Sequence, residues 1–201
     1  MEKRINIFIS GSTNPNISKE YKQAAIEFGK LLDTKKHNII FDGCHGLPSI
    51  VASQLSQPND NLIIAYTTSH NIPISDWPLA TRNGTFSYQS EVTRALLDWS
   101  DVAFFFNGGS GTLAELFHAI DTKKNGEHHK PILILNIKKQ WDELLKILEP
   151  LELSDLYNVM NTPKEIIEYI NKHLKINQVY NKVEYLEFIK NDDYEDKFML
   201  H

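Results

Sequence analysis

Short apolar runs alternate along this chain with segments whose apolar residues recur every three to four positions. Ile5 to Ser10 reads as a buried strand, ending in Gly11-Ser12 and a polar loop through Asn16. From about Ser18, the positions Tyr21, Ala24, Ala25, Phe28, Leu31 and Leu32 keep the spacing of one helical face. Asn38 to Phe41 reads as a second strand, followed by the glycine turn Asp42-Gly43-Cys44-His45-Gly46 and a short helix from Pro48 to about Gln54. Proline is tolerated at that early position because its missing N–H would have no partner there. Leu62 to Tyr66 is a third strand. Residues 67–86 hold Pro73, Pro78 and Gly84 and show no period, so they are expected to form a functional loop or lid.

The alternation then resumes. A helix is predicted from about Ser87 to Trp99, a strand over Val102–Phe106, a helix from Thr112 to Lys123, a strand over Ile132–Leu135 and a helix from Trp141 to about Leu148. Thr162-Pro163-Lys164-Glu165 is a capping box with proline at the first helical position, which predicts a helix through about Leu174. Asn158 to Met160, just before it, reads as a last short strand. Strands separated by single helices imply an α/β fold: a parallel sheet with helices on both faces, in one domain over residues 1–177. The segment 178–201, rich in Tyr, Glu and Asp, is expected to be a C-terminal tail, disordered or packed on a neighbour.

Chemistry concentrates at the ends of the strands. Gly108-Gly109-Ser110-Gly111 directly follows the strand Val102–Phe106, and Thr112 then opens a helix. A helix N-terminus leaves N–H groups unpaired and carries partial positive charge, which suits an anion such as phosphate. Glycines let a phosphate reach the backbone because no Cβ stands in the way. One turn into the helix, Glu115 sits beside that place. The three glycine turns, at residues 11, 43 and 108, all follow predicted strands, and ligands on such sheets lie outside the carboxyl ends of the strands. All three should meet at one edge.

Composition narrows the partners. The 201 residues, 41% hydrophobic and 23% charged, suit a single globular domain with a sizeable core. A net charge of -5 gives no electrostatic reason to expect nucleic acid, whose binders concentrate Lys and Arg. No apolar run approaches the roughly 20 residues of a membrane span, so no membrane association is expected. The start of the chain lacks a signal-peptide pattern. The single cysteine, Cys44, excludes an internal disulfide, and a cytoplasmic location is expected. His45 and His70 fall on loops without metal-site spacing, so no metal is expected.

Several segments together resemble one family. Asn107-Gly108-Gly109-Ser110-Gly111-Thr112-Leu113-Ala114-Glu115 is similar to the PGGxGTxxE signature of the LOG-type phosphoribohydrolases, also labelled "lysine decarboxylase-like". Ile9-Ser10-Gly11-Ser12 resembles the family's first glycine loop, and Tyr21, Ala24, Ala25 and Gly29 its first helix. The run from Phe41 to Ala52 resembles its second glycine turn and following helix, and the run from Lys130 to Leu148 its later Lys-Pro strand and helix. The resemblance covers about residues 5–170. It implies a Rossmann-like nucleotide site, a homodimer, and cleavage of the N-glycosidic bond of a nucleoside 5′-monophosphate without a cofactor. Glu115 would then act at the ribose C1′. The 5′-phosphate would rest on Gly108, Gly109, Ser110, Gly111 and Thr112, with Gly11, Ser12, Gly43 and Gly46 closing the other side.

The chain departs from that pattern at two positions. The motif's proline is Asn107, and the position of the family's functional arginine, counted back from Asp101, holds Val92. Arg94 lies half a helical turn away and is expected to be solvated or salt-bridged. Arg82, in the irregular segment, is the candidate catalytic replacement. Two other functions stay open: a non-catalytic nucleotide sensor, and nucleoside deoxyribosyl transfer. Thr112-x-x-Glu115 also matches a capping box, Ser12 could merely cap a turn, and Tyr88 at a helix start suggests packing. Cys44 has no placed base and is not expected to be a nucleophile, and no lysine stands out as a Schiff-base site for pyridoxal phosphate.

Overall fold

The computed structural model describes residues 4–55, 63–68 and 82–174, with the backbone alone at Tyr66, Arg82 and Asn83. His70, most of the irregular segment and the tail 178–201 lie outside the described residues.

Among the described residues the elements are, in chain order, β1 Ile5–Ser10, α1 Lys19–Leu31, β2 His37–Phe41, α2 Leu47–Gln54, β3 Ile63–Thr68, β4 Arg82–Phe86, α3 Gln89–Trp99, β5 Val102–Phe105, α4 Ser110–Lys124, β6 Ile132–Leu135, α5 Asp142–Leu148, β7 Asn158–Met160 and α6 Pro163–His173. All the strand pairs are parallel, in one seven-stranded sheet of order β4-β3-β2-β1-β5-β6-β7. The α/β expectation therefore holds. One strand exceeds it, because the span 67–86 is not wholly irregular: Thr67 and Thr68 complete β3, and Arg82–Phe86 pair alongside it. The edge position explains why β4 gives no apolar signal. An edge strand needs no hydrophobic run to be buried on both sides, and Arg-Asn-Gly-Thr-Phe carries none.

The strand period of two divides the core between the faces. Ile5, Ile7 and Ile9 of β1, Phe41 of β2 and Phe104 of β5 pack under α1, α2 and α6. Phe8, Ile40, Ala103 and Phe105 point the other way, under α3, α4 and α5. Phe28 of α1 meets the Phe104 ring at 4.6 Å between centroids, and Phe8 meets Phe105 edge-on at 5.7 Å. The Thr162 cap forms as expected, its hydroxyl accepting the Glu165 N–H at 3.2 Å.

Strand order reverses between β1 and β5. The chain steps outward from β1 through β4, then returns to the other side of β1 with β5. The two connections leave the sheet in opposite directions at that point, which opens a crevice at the carboxyl ends of β1 and β5.

Candidate functional site

Three loops meet in that crevice and are bonded to one another. The Phe106 N–H donates to the Ser10 carbonyl (2.9 Å), the Ser12 N–H to the Asn107 carbonyl (3.0 Å), and the Leu47 N–H to the Ser12 carbonyl (3.0 Å). Asn107 thus contributes its carbonyl, which the proline of the family motif would also supply. Gly46 sits at φ +135° and ψ −150°, a region open essentially to glycine alone. A Cβ there would lie 2.3 Å from the Ser12 carbonyl oxygen. The second glycine turn is therefore locked against the first.

The cleft between these loops has a volume of about 390 Å³. Gly11, Ser12, Thr13 and Asn14 form one wall, Gly109 to Thr112 with Ala114 and Glu115 the opposite one, Asp42 and Cys44 the end beside β2, and Gln89 and Thr93 of α3 the remainder. Gly43, Gly46 and Gly108 stand behind the walls rather than in them. Gly43 turns the chain at φ +71°, and Gly108 leaves room for the Thr112 side chain, whose Oγ1 would lie 2.0 Å from an added Cβ. Arg82 starts β4, in register with Ile64. That is the amino end of an edge strand, away from the carboxyl ends that hold the cleft.

Helix α4 begins two residues earlier than its sequence pattern suggests. Gly109 is the N-cap, no side chain caps the helix, and the first helical bond runs from the Leu113 N–H to the Gly109 carbonyl at 3.0 Å. The N–H groups of Ser110, Gly111 and Thr112 thus have no partner within the helix. A Cβ added at Gly109 or Gly111 meets nothing within 4 Å, so this wall is open backbone. The earlier start also removes Thr112 from the N-cap, so Glu115 is not the acid of a capping box. It is 5% exposed, on the face of α4 turned to the sheet, and accepts a short hydrogen bond from the Ser10 hydroxyl.

Ser10 follows from strand alternation: Ile7 and Ile9 face α1, so Phe8 and Ser10 face α4. Asp42, one residue past β2, falls on the same face, after Ile40. Continuing the register Phe8↔Ile40 by two residues sets Asp42 beside Ser10. Sequence motifs alone do not single out Asp42, Asn14 or Thr93. Only Asp42 carried a readable signal, an acid at the end of an apolar strand that opens a glycine turn. Burial, and then the nearness of Asp42, raises the pKa of Glu115, against the ionising effect of the Ser10 hydrogen bond. Burial likewise raises Asp42, although the Cys44 N–H donates to its Oδ1 at 3.1 Å. The pair thus keeps a proton beyond the ordinary carboxylate range. Burial, with the charge of Asp42, pushes the Cys44 thiol up to about 12, so it carries no thiolate for attack.

Other expectations separate cleanly. Val92 is fully buried against the α3 side of the core, so the position counted for the family arginine does not face the cleft. Arg94 is ion-paired on the surface, with Asp98 at 2.8 Å and Glu127 at 2.6 Å. Ser12 does both things: it lines the cleft, and its Oγ accepts the Asn14 N–H at 3.1 Å. Tyr88 does not pack; it is 65% exposed at the start of α3, where Glu91 caps the helix instead. His45 is exposed, and the described residues hold no cluster of three metal-ligating side chains. Among them no helix is long and apolar enough to cross a membrane.

Fold and cleft together define a doubly wound α/β protein with an open, uncapped helix N-terminus and a buried acid at the switch point. The chain belongs to the family described as "Possible lysine decarboxylase", whose model matches residues 63–178. Among the described residues no lysine lines the cleft. It is 25% identical over 197 residues to cytokinin riboside 5′-monophosphate phosphoribohydrolase LOG1 of Arabidopsis thaliana, covering 87% of each chain. It is 26% identical over 197 residues to the probable cytokinin riboside 5′-monophosphate phosphoribohydrolase LOGL6 of Oryza sativa subsp. japonica, covering 87% of this chain and 74% of that one. The resemblance to LOG-type proteins is borne out. Among solved structures, the molybdenum cofactor carrier protein of Chlamydomonas reinhardtii superposes with a TM-score of 0.65 at 18% identity, over 85% of this chain and 98% of that one. DNA processing protein A of Helicobacter pylori does so with a TM-score of 0.61 at 15% identity, over 86% and 83%. At those identities the likeness is one of fold.

Proposed function

We propose that this protein hydrolyses the N-glycosidic bond of a nucleoside 5′-monophosphate, releasing the free base and ribose 5-phosphate. The observation that carries the proposal is Glu115: a buried acid on the wall of an open cleft, one helical turn from a set of unpartnered backbone N–H groups. An anion on Ser110, Gly111 and Thr112 leaves the attached sugar beside Glu115, since one turn of helix rises about 5.4 Å. Departure of the base builds positive charge at C1′, which a carboxylate at that distance stabilises while it orients the attacking water. The relatives' activity on a riboside 5′-monophosphate supports the same substrate class.

A panel of nucleoside monophosphates, assayed by chromatography for free base, tests the proposal. Release by the native protein and none by Glu115→Gln is the expected result; no release from any member of the panel refutes it. One observation favours a second reading, a non-catalytic nucleotide receptor: among the described residues lining the cleft, none is cationic. Tight binding without release in the same panel identifies that case. The homodimer and the cytoplasmic location that accompany this activity are part of the proposal. Exposed Phe117 on α4 and exposed Tyr88 at the N-cap of α3 each offer apolar surface to a second copy, and sedimentation equilibrium measures the mass.

A further inference from the structure

The cleft has a second acid, and its place is set by the sheet. The ends of β5, β1 and β2 lie side by side, about 4.8 Å apart in a parallel sheet. The open N-terminus of α4 stands over the β5 end, Ser10 with its bound Glu115 over the β1 end, and Asp42 over the β2 end. A nucleotide whose phosphate rests on α4 has its sugar over β1 and its base reaching toward β2. Asp42 lines the cleft, and Cys44 holds its side chain, the Cys44 N–H donating to Oδ1 at 3.1 Å and the thiol also hydrogen-bonding the carboxyl group.

We propose that Asp42 is the general acid of the site: it donates a proton to the departing base while Glu115 faces the sugar. The assignment rests on the hydrolytic reading above. As the C1′–N bond breaks, its electron pair passes to the base, which takes the proton of Asp42. Water then adds to C1′ and gives one of its protons to the carboxylate pair, which returns to its starting state. The products are the free base and ribose 5-phosphate. The groups around the pair suit this role. Ser10 of β1 donates to Glu115, Cys44 stays a neutral thiol beside Asp42, and α3 presents only uncharged Gln89 and Thr93. With no cation among the described lining residues, two ionised acids would repel each other and the phosphate. One retained proton relieves that repulsion and is the proton to be delivered.

The test compares two substrates, a nucleoside 5′-monophosphate and 4-nitrophenyl β-ribofuranoside 5-phosphate, whose phenolate leaves without protonation. Asp42→Asn should lower kcat on the nucleotide by about 100-fold to 10,000-fold, and by less than about tenfold on the nitrophenyl substrate. The native protein should lose rate at alkaline pH on the nucleotide but not on the nitrophenyl substrate, a comparison that needs no variant to fold. Equal losses on both substrates in Asp42→Asn, or matching alkaline limbs in the native protein, overturn the role of Asp42. Base release that disappears in Glu115→Gln but persists undiminished in Asp42→Asn overturns it too and leaves the hydrolase standing. A native protein that releases no base removes the hydrolytic reading and this assignment together.

Discussion

Gly111→Ala should stabilise the free protein and weaken it as a nucleotide binder, two effects of opposite sign from one methyl group. Gly111 is the second residue of α4, in ordinary helical conformation, and an added Cβ meets nothing within 4 Å. Alanine in place of glycine within a helix contributes about 0.5–1 kcal/mol. Near the first turn the lower figure applies, which for a domain of this size raises the melting temperature by about 1–2 °C. The Cα–Cβ bond of a helical residue tilts toward the N-terminus. The new methyl therefore projects into the space from which an anion would approach the N–H groups of Ser110, Gly111 and Thr112. Hydrogen bonds of about 2.9 Å leave no room for it, and the affinity should fall at least tenfold, about 1.4 kcal/mol. Calorimetric titration of a nucleoside monophosphate into Glu115→Gln, with and without Gly111→Ala, measures binding free of turnover. Unchanged affinity would show that the anion does not lie on this helix end. A melting temperature lowered by several degrees would show that the methyl is not in open space.

Other perturbations probe the frame around the cleft. Gly46→Ala forces a side chain into a glycine-only conformation and against the Ser12 carbonyl, so denaturant unfolding should record a loss of about 2–4 kcal/mol. Val92→Arg, which places an arginine where the family spacing asks for one, should cost on the order of 4 kcal/mol and restore nothing, because Val92 is fully buried among apolar residues; a stable, more active variant would contradict this placement. His128 is neutral at both nitrogens' expense: Nε2 donates to the Ala119 carbonyl at 3.0 Å and Nδ1 accepts the Lys130 N–H at 3.2 Å, and burial pushes its pKa down to about 4. Its folded value lies below its unfolded one, so its contribution is present above about pH 6.5 and lost as pH falls toward 4. Comparing urea unfolding at pH 7 and pH 4.5 should show a fall in the native protein that exceeds that of His128→Gln by on the order of 2 kcal/mol; parallel falls would exclude His128 as the source.

Local signals determined much of this protein. Apolar runs marked every strand that is buried on both faces, because each needs hydrophobic residues on both sides of the sheet, and glycine turns followed three of them, β1, β2 and β5. Spacing marked the helices, and the Thr162 box marked the start of α6 to the residue. The glycine turns announced the loops of the cleft, since backbone conformation and close approach are properties of a few neighbouring residues. β4 escaped because an edge strand makes no such demand on its sequence. The true start of α4 escaped because glycine at an N-cap carries no side-chain signature. What only the tertiary structure decided is which distant groups share the cleft. Ser10 and Glu115 are 105 residues apart in the chain and meet because α4 lies over β1. Asp42 joins them through the register of a neighbouring strand, and Val92 turns into the core while Thr93 turns to the cleft. A carboxylate's proton affinity depends on the charge and water within a few ångströms of it, and those surroundings are assembled by packing, not by adjacency along the chain.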